Sequence, residues 1–204
     1  MKTLRPDLRA IADLVPPGSK VLDVGCGDGE LLAWLAQEKQ VDGRGLELSQ
    51  SGVNASIARG LSVVQGDADA DLSDYPAGVY DYVILSQTLQ TMRHPRDVLE
   101  NLVRIGKHAI VSVPNFGYWK NRFYLLFFGR MPVTRTLAFQ WHDTPNIHFC
   151  TLSDFVTLCE ETHITIEKRV YVDDGGAPSH FQGRSFLANL LGEQGIFLLS
   201  AGLL

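Results

Sequence analysis

A glycine-rich turn between a buried strand and a helix is the feature that most constrains the fold of this chain. An apolar run begins at residue 21 and leads into GCGDG at 25–29, and a helical pattern of apolar residues follows from Glu30. Glycine permits the backbone angles of such a tight turn and lets a ligand approach the backbone closely. The turn therefore predicts a nucleotide-like cofactor at the end of the first strand.

The spacing of the glycines distinguishes between cofactors. A dinucleotide-binding turn has the pattern GxGxxG, and its helix N-terminus faces a pyrophosphate. Here the sixth position is Glu30, whose carboxylate would repel a pyrophosphate, so NAD and FAD are disfavoured. The pattern GxGxG after Asp23 instead resembles motif I of the class I S-adenosylmethionine-dependent methyltransferases. That resemblance implies that the loop lies against the methionine part of the cofactor and that Asp23 helps to hold its amino group.

Strands and helices alternate regularly over residues 21–113. The first strand is followed by predicted strands at 41–48, 61–64, 80–87 and 109–113. Such repeated units with right-handed crossovers predict an α/β fold, a doubly wound, Rossmann-like, mostly parallel sheet with helices on both faces. Later strands at 164–172 and 195–199 fit the methyltransferase sheet of about seven strands, in which the final strand is reversed. Ser49 and Ser153 are predicted to cap the helices that follow them.

Acidic residues follow the second and third strands. Glu47 lies 22 residues after Gly25 and is placed to accept hydrogen bonds from ribose hydroxyls. Its register with the glycine loop favours this role over that of a solvated surface glutamate. The methyltransferase resemblance implies that Asp67 bonds the adenine amine and that the backbone N–H of Ala68 meets the ring. A turn-forming Asp after Gly66 is the alternative.

The fourth strand ends near the expected methyl-donor position. Ser86 lies there, although its hydroxyl could equally satisfy backbone groups of the loop. Asn115 and His142 are candidates for the acceptor side, and His142 or His148 for a general base, but no catalytic residue is assigned. The predicted cofactor contacts are Asp23, Gly25, Cys26, Gly27, Gly29, Glu47, Leu48, Asp67, Ala68 and Ser86.

Composition excludes several other classes of protein. The 204 residues, 45% of them hydrophobic, fit a single domain over 1–204 and exclude a disordered chain. A net charge of −5 argues against general nucleic-acid binding. The three cysteines lack metal-ligand spacing, so we expect reduced thiols and no metal site. Residues 1–13 contain neither a signal peptide nor a membrane span, so we expect a soluble, cytoplasmic protein that binds no membrane.

An aromatic and basic insertion around 116–150 follows the fifth strand. Its first part, FGYWKNRFYLLFFGRMP at 116–132, is too short and too flanked by charge to span a bilayer. We predict a helix with three possible uses: a core helix, a lid over the cofactor, or a docking surface for another protein. Packing in the core is the default, although so many aromatic residues also suit an interface.

Four stretches together resemble the MetW family of methionine biosynthesis proteins over nearly the full chain. They are DVGCGDGELL at 23–32, SQTLQ at 86–90, VPNFG at 113–117 and WHDTPNIH at 141–148. The resemblance implies a methyltransferase-like protein that binds S-adenosylmethionine or S-adenosylhomocysteine and is associated with homoserine O-acyltransferase. It establishes no methyl acceptor.

Two functions therefore stay open. The favoured one is a binding module that senses S-adenosylmethionine, or its demethylated product, and modulates the acyltransferase. The other is a free-standing methyltransferase that acts on an unidentified small-molecule or protein acceptor.

Overall fold

The computed structural model describes residues 4–134, 137–173, 178–179 and 186–202. The helices are α1 (Pro6–Asp13), α2 (Glu30–Lys39), α3 (Gln50–Ala58), α4 (Ala68–Asp71), α5 (Pro95–Ile105), α6 (Trp119–Phe128), α7 (Leu152–Glu161) and α8 (Phe186–Leu191). The strands are β1 (Lys20–Val24), β2 (Asp42–Glu47), β3 (Ser62–Gln65), β4 (Tyr80–Ser86), β5 (Gly106–Pro114), β6 (Ile164–Val172), β7 (Pro178–Ser179) and β8 (Gln194–Ala201).

All eight strands form one sheet in the order β3-β2-β1-β4-β5-β8-β6-β7. The pairs among β1 to β5 are parallel, and β8 runs antiparallel between β5 and β6. This topology confirms the doubly wound sheet and its reversed final strand, with the two-residue β7 added at the edge beyond the seven predicted strands. The direction of winding changes at β1, which places a crevice at its carboxyl end, where the glycine loop begins.

Each face of the sheet has its own apolar core, because side chains alternate along the strands. On β1, Leu22 and Val24 belong to the core that also contains buried residues of α5 and α7. Val21 belongs to the other core, with buried residues of α1 and α2. The predicted arrangement of helices on both faces is therefore confirmed. Since Asp23 and Val21 share a side of β1, the Asp23 carboxylate lies on the face covered by α1 and α2.

One of the two predicted helix caps is correct. Ser49 caps α3 by accepting a hydrogen bond from the Gly52 N–H at 3.1 Å. Ser153 does not cap α7, which begins one residue earlier. Thr151 does so instead, because its hydroxyl accepts from the Asp154 N–H while the Asp154 carboxylate accepts from the Thr151 N–H.

No helix in the described ranges is long and apolar enough to cross a membrane.

Candidate functional site

The glycine loop after β1 has the conformation that its sequence predicts. Gly25, Gly27 and Gly29 have φ of 70°, 58° and 75°, in the left-handed region that side chains disfavour. The N–H of Gly25 donates to the carbonyl of Leu46 at the end of β2, over 2.7 Å. A Cβ atom placed on Gly27 would meet no atom within 4 Å. The backbone at Gly27 therefore faces open space that a ligand can enter.

Gly29 and Cys26 have packing roles in the same loop. A Cβ atom on Gly29 would collide with the Leu61 side chain and lie 2.8 Å from Ser56 Oγ, so this glycine lets α2 begin close to α3. The Cys26 sulfur packs against Gly45 of β2. Burial, reinforced by nearby carboxylates, raises the pKa of Cys26 to about 12. The thiol therefore stays protonated and is not a nucleophile.

Two cavities meet at Gly25 at the carboxyl edge of the sheet. The larger measures about 240 Å³ and the smaller about 220 Å³. Nine of the ten predicted contacts line them, and Gly29 lines neither. Gly25 borders both cavities, the larger is also lined by Glu47, Leu48, Asp67 and Ala68, and the smaller by Asp23, Cys26, Gly27 and Ser86.

Asp23 is a buried carboxylate beside the smaller cavity. The residue is only 3% exposed, and no described residue donates a hydrogen bond to its side chain. Burial, with a smaller contribution from repulsion by Glu47, raises the pKa of Asp23 from 3.8 to about 7. Arg5 borders the same cavity but pairs with Asp7 at 3.1 Å. A buried charge needs a partner, so Asp23 suits a ligand that brings a positive charge.

Glu47 organises the glycine loop from the larger cavity. Its Oε2 accepts from the Gly27 N–H at 2.9 Å, and its Oε1 accepts from the Ser49 N–H at 2.9 Å and the Ser49 hydroxyl at 2.8 Å. A carboxylate offers about four acceptor positions, so one is left for a ligand hydroxyl. The side chain thus has a structural role in the loop and retains the capacity for its predicted ribose contact.

The far wall of the larger cavity combines a turn with an apolar rim. Asp67 caps the N-terminus of α4, because its Oδ1 accepts from the Asp69 N–H at 3.0 Å. The turn-forming alternative thus describes this oxygen, while Asp67 also lines the cavity. Ala68 is buried beside it, and Leu48 is 64% exposed at the rim. An exposed leucine next to a cavity offers an apolar face to a flat ring.

Ser86 lies where β4 ends against the smaller cavity, within a network of polar side chains. Its Oγ is 3.3 Å from Ser112 Oγ. The next residue, Gln87, has a φ of 50°. Its side-chain Nε2 donates to the Asp7 carboxylate of α1 at 3.3 Å and to Gln194 Oε1 of β8 at 2.9 Å. Gln87 therefore fixes α1 and the start of β8 around the end of β4.

Gln90 connects the same loop to the aromatic insertion. Its backbone carbonyl accepts from the N–H groups of Ile147 and His148, at 2.9 and 3.0 Å. The residues that follow it, Thr91 and Met92, line the larger cavity. The SQTLQ stretch therefore joins the cavity wall to the WHDTPNIH stretch.

The residues considered for the acceptor side have no evident catalytic geometry. The Asn115 amide donates to the carbonyls of Asn189 and Gly192 and accepts from two backbone N–H groups, so it is a structural residue. His142 and His148 are exposed. Within the described ranges, no group of three or more His, Cys, Asp or Glu residues could hold a metal ion.

Several supporting residues were not found from the sequence. Ser56 is fully buried, and its hydroxyl donates to the Gly27 carbonyl at 3.1 Å. Its place among the apolar positions of the predicted helix is the one feature of the sequence that could have indicated a buried hydrogen bond. Thr88 contacts Gly25 and lines the larger cavity; its place in the SQTLQ stretch could have indicated this. Leu8 reaches the smaller cavity from α1, a long-range contact that carries no local signal.

Known proteins resemble this chain both in sequence and in fold. A sequence model of the family described as "Methionine biosynthesis protein MetW" matches residues 5–199. The bifunctional methionine biosynthesis protein MetXA/MetW of Rhodopirellula baltica is 35% identical over 180 residues, which cover 84% of this chain and 29% of that protein. The chain therefore spans less than a third of the length of this relative.

Solved structures of S-adenosylmethionine-dependent methyltransferases share the fold. One from Thermotoga maritima superposes with a TM-score of 0.70 at 16% identity, covering 96% of this chain and 87% of that one. The [4+2]-cyclase SpnF superposes with a TM-score of 0.66 at 15% identity, covering 96% and 80%. At these identities the likeness shows the fold alone, and the fold is found in proteins named for different reactions.

Proposed function

The chain belongs to the MetW family of methionine biosynthesis proteins, and from that premise we propose that it binds S-adenosylmethionine and acts with homoserine O-acyltransferase. The observation that supports this choice of ligand is the environment of Asp23, a buried carboxylate to which no described residue donates a hydrogen bond. S-adenosylmethionine brings an ammonium and a sulfonium, and no phosphate. A cationic ligand of this kind offsets the cost of ionising Asp23.

The two cavities suit the two parts of this ligand. The Asp23 side, with the open backbone at Gly27, accommodates the methionine part. The Glu47 side offers an acceptor position for a ribose hydroxyl, and Leu48 and Ala68 provide apolar contact for adenine. When bound, S-adenosylmethionine supplies an electrophilic methyl group. In this proposal the residues of this chain hold and orient it, with Ser86 lining the cavity assigned to the methionine part.

We favour a sensing role over free-standing methyl transfer. The Asn115 side chain is engaged in hydrogen bonds to the backbone, and the two candidate histidines are exposed and line neither of the two cavities. The name of the Rhodopirellula relative joins MetXA and MetW in one protein, which supports a partnership between the two activities. In this proposal the chain works in the cytoplasm, where its three free thiols stay reduced.

Titration calorimetry tests the proposal. The purified chain is titrated with S-adenosylmethionine and with S-adenosylhomocysteine, first alone and then with homoserine O-acyltransferase from the same organism. We expect binding to the isolated chain and an affinity that changes when the acyltransferase is present. Binding that is indifferent to the acyltransferase, together with methyl transfer to a small molecule, would support the free-standing enzyme. No binding in either setting would contradict the cofactor site.

A further inference from the structure

The helix that follows β5 presents apolar side chains to solvent around most of its circumference. Of the ten residues of α6, all within the described ranges, only Asn121 is buried. We define the aromatic surface as Trp119, Phe123, Tyr124, Leu126, Phe127 and Phe128, whose exposure ranges from 37% to 74%. Such a helix is ordinarily buried, so this one lacks a cover among the described residues.

The aromatic rings of α6 are ordered in rows. The ring centroids of Trp119 and Phe123 are 5.9 Å apart, and those of Phe123 and Phe127 are 5.8 Å apart with planes at 7°. Tyr124 and Phe128 form a second row at 4.9 Å. Neighbouring rings at these distances limit the rotamers available to one another. The surface is therefore partly pre-organised, which lowers the entropic cost of docking.

We propose that the aromatic surface is the docking site for the acyltransferase partner. This inference rests on the proposed function, and it assigns the partnership to one helix. The prediction that the insertion packs in the core is not what α6 shows, whereas its use as an interface fits the exposure of its rings. Large aromatic side chains in the centre of an interface supply most of its binding energy.

Two other occupants fit the surface less well. Residues 115–142 contain four Lys or Arg and no Asp or Glu. In a symmetric pair of these surfaces, the basic residues Lys120, Arg122 and Arg130 would meet only basic residues, and like charges across an interface are costly. A membrane-surface helix has one apolar and one polar face, whereas the apolar residues of α6 surround the helix. A groove with an acidic rim on another protein would complement both the shape and the positive charge of the aromatic surface.

The fused relative supports the choice of partner. In the MetXA/MetW protein, a region similar to this chain accounts for 29% of the length and shares one polypeptide with the rest. Fusion keeps the remainder of that protein next to the region similar to this chain, so that an exposed apolar surface there could stay covered. Where the two activities are on separate chains, the same surface would need to find its partner by association.

Interaction measurements with point variants test the assignment. The acyltransferase from the same organism is immobilised, and the full chain is passed over it as wild type, Phe127→Ser and Ile57→Ser. Ile57 is the matched control, since it is 54% exposed on α3, away from the aromatic surface. We expect Phe127→Ser to raise the Kd about 30-fold or more and Ile57→Ser to leave it unchanged. Both variants should keep S-adenosylmethionine binding, which shows that they fold.

The other outcomes separate the surface from the proposed function. If Phe127→Ser binds the acyltransferase as tightly as wild type, the surface is wrong and the partnership stands. If wild type does not bind the acyltransferase, the partnership fails and the assigned occupant fails with it. If wild type floats with phosphatidylglycerol vesicles and Phe127→Ser does not, the surface binds a membrane instead. If light scattering shows a dimer that Phe127→Ser abolishes, the surface binds a second copy of the chain.

Discussion

At the scale of single residues, a side chain at Gly27 should affect ligand binding and folding through two different causes that can be measured separately. Its backbone is left-handed and its Cβ direction is open. We expect Gly27→Val to cost about 1–2 kcal/mol of folding free energy through backbone strain, and to weaken S-adenosylmethionine binding at least about tenfold by filling the space for the ligand. Calorimetry and thermal unfolding measure the two effects.

Gly60 provides the matched control for Gly27. It also has a left-handed φ, of 81°, and no atom within 4 Å of an added Cβ, but it lies at the end of α3 and lines neither cavity. Gly60→Val should show the same strain and unchanged affinity. Equal affinity of the Gly27→Val variant and wild type would place the ligand elsewhere.

Asp23 makes the affinity depend on pH. In the free chain its pKa of about 7 leaves it largely protonated at pH 6, yet a cationic ligand binds the ionised form. Binding must then expel a proton, so affinity falls by up to about tenfold per pH unit below pH 7. Above about pH 8 the amino group of the ligand itself loses its proton, and the gain ends.

Calorimetry between pH 6 and 8, in buffers of different ionisation enthalpy, measures both the affinity and the released proton. Asp23→Asn should bind weakly, with little dependence on pH in this window, while Asp13→Asn, an exposed carboxylate on α1, should behave as wild type. A proton release at pH 6.5 that survives in Asp23→Asn would assign the titration to another group.

At the scale of secondary structure elements, Gly29 belongs to packing rather than to the ligand. An added Cβ would meet Leu61 and Ser56 where α2 begins beside α3. We expect Gly29→Ala to lower the free energy of unfolding by roughly 2–4 kcal/mol, from overpacking and left-handed strain together. Gly60→Ala, with the strain alone, should lose about 1 kcal/mol. Denaturant unfolding measures the loss of stability in both variants. If Gly29→Ala folds but binds S-adenosylmethionine more weakly than wild type, Gly29 belongs to the ligand site after all.

The strands and the cleft were more predictable than the surface. Runs such as 80–87 and 109–113 are apolar because both faces of a parallel sheet are covered, so the sequence itself indicates them. The glycine loop and Glu47 follow from spacing. The reversed direction of the final strand came from family resemblance, and its place between β5 and β6 was not predicted, because antiparallel pairing across the chain has no local pattern. The isolation of Asp23 from donors and the exposure of α6 depend on tertiary contacts, which no short stretch encodes.

At the scale of the whole molecule, the proposed partner surface and the proposed cofactor cleft are physically joined. Phe116, just before α6, packs against Phe149 with ring centroids 5.2 Å apart. Nearby, the N–H groups of Ile147 and His148 bond the carbonyl of Gln90, whose neighbours line the larger cavity. A partner that displaces residues 147–149 on docking would therefore bias the wall of the cleft. Coupling between two such sites is typically about 1–3 kcal/mol.

This coupling must be reciprocal if the chain is a sensor. The factor by which the acyltransferase changes the Kd for S-adenosylmethionine equals the factor by which S-adenosylmethionine changes the Kd for the acyltransferase, and we expect a factor of about 5–150. Titrations in both directions measure it. Ile147→Pro removes one N–H bond to Gln90, whereas Ile147→Ala keeps it, so the proline variant alone should reduce the factor while both still bind S-adenosylmethionine. A factor of one in wild type would mean that docking and cofactor binding are independent, and the chain would then carry its ligand without reporting it to the partner.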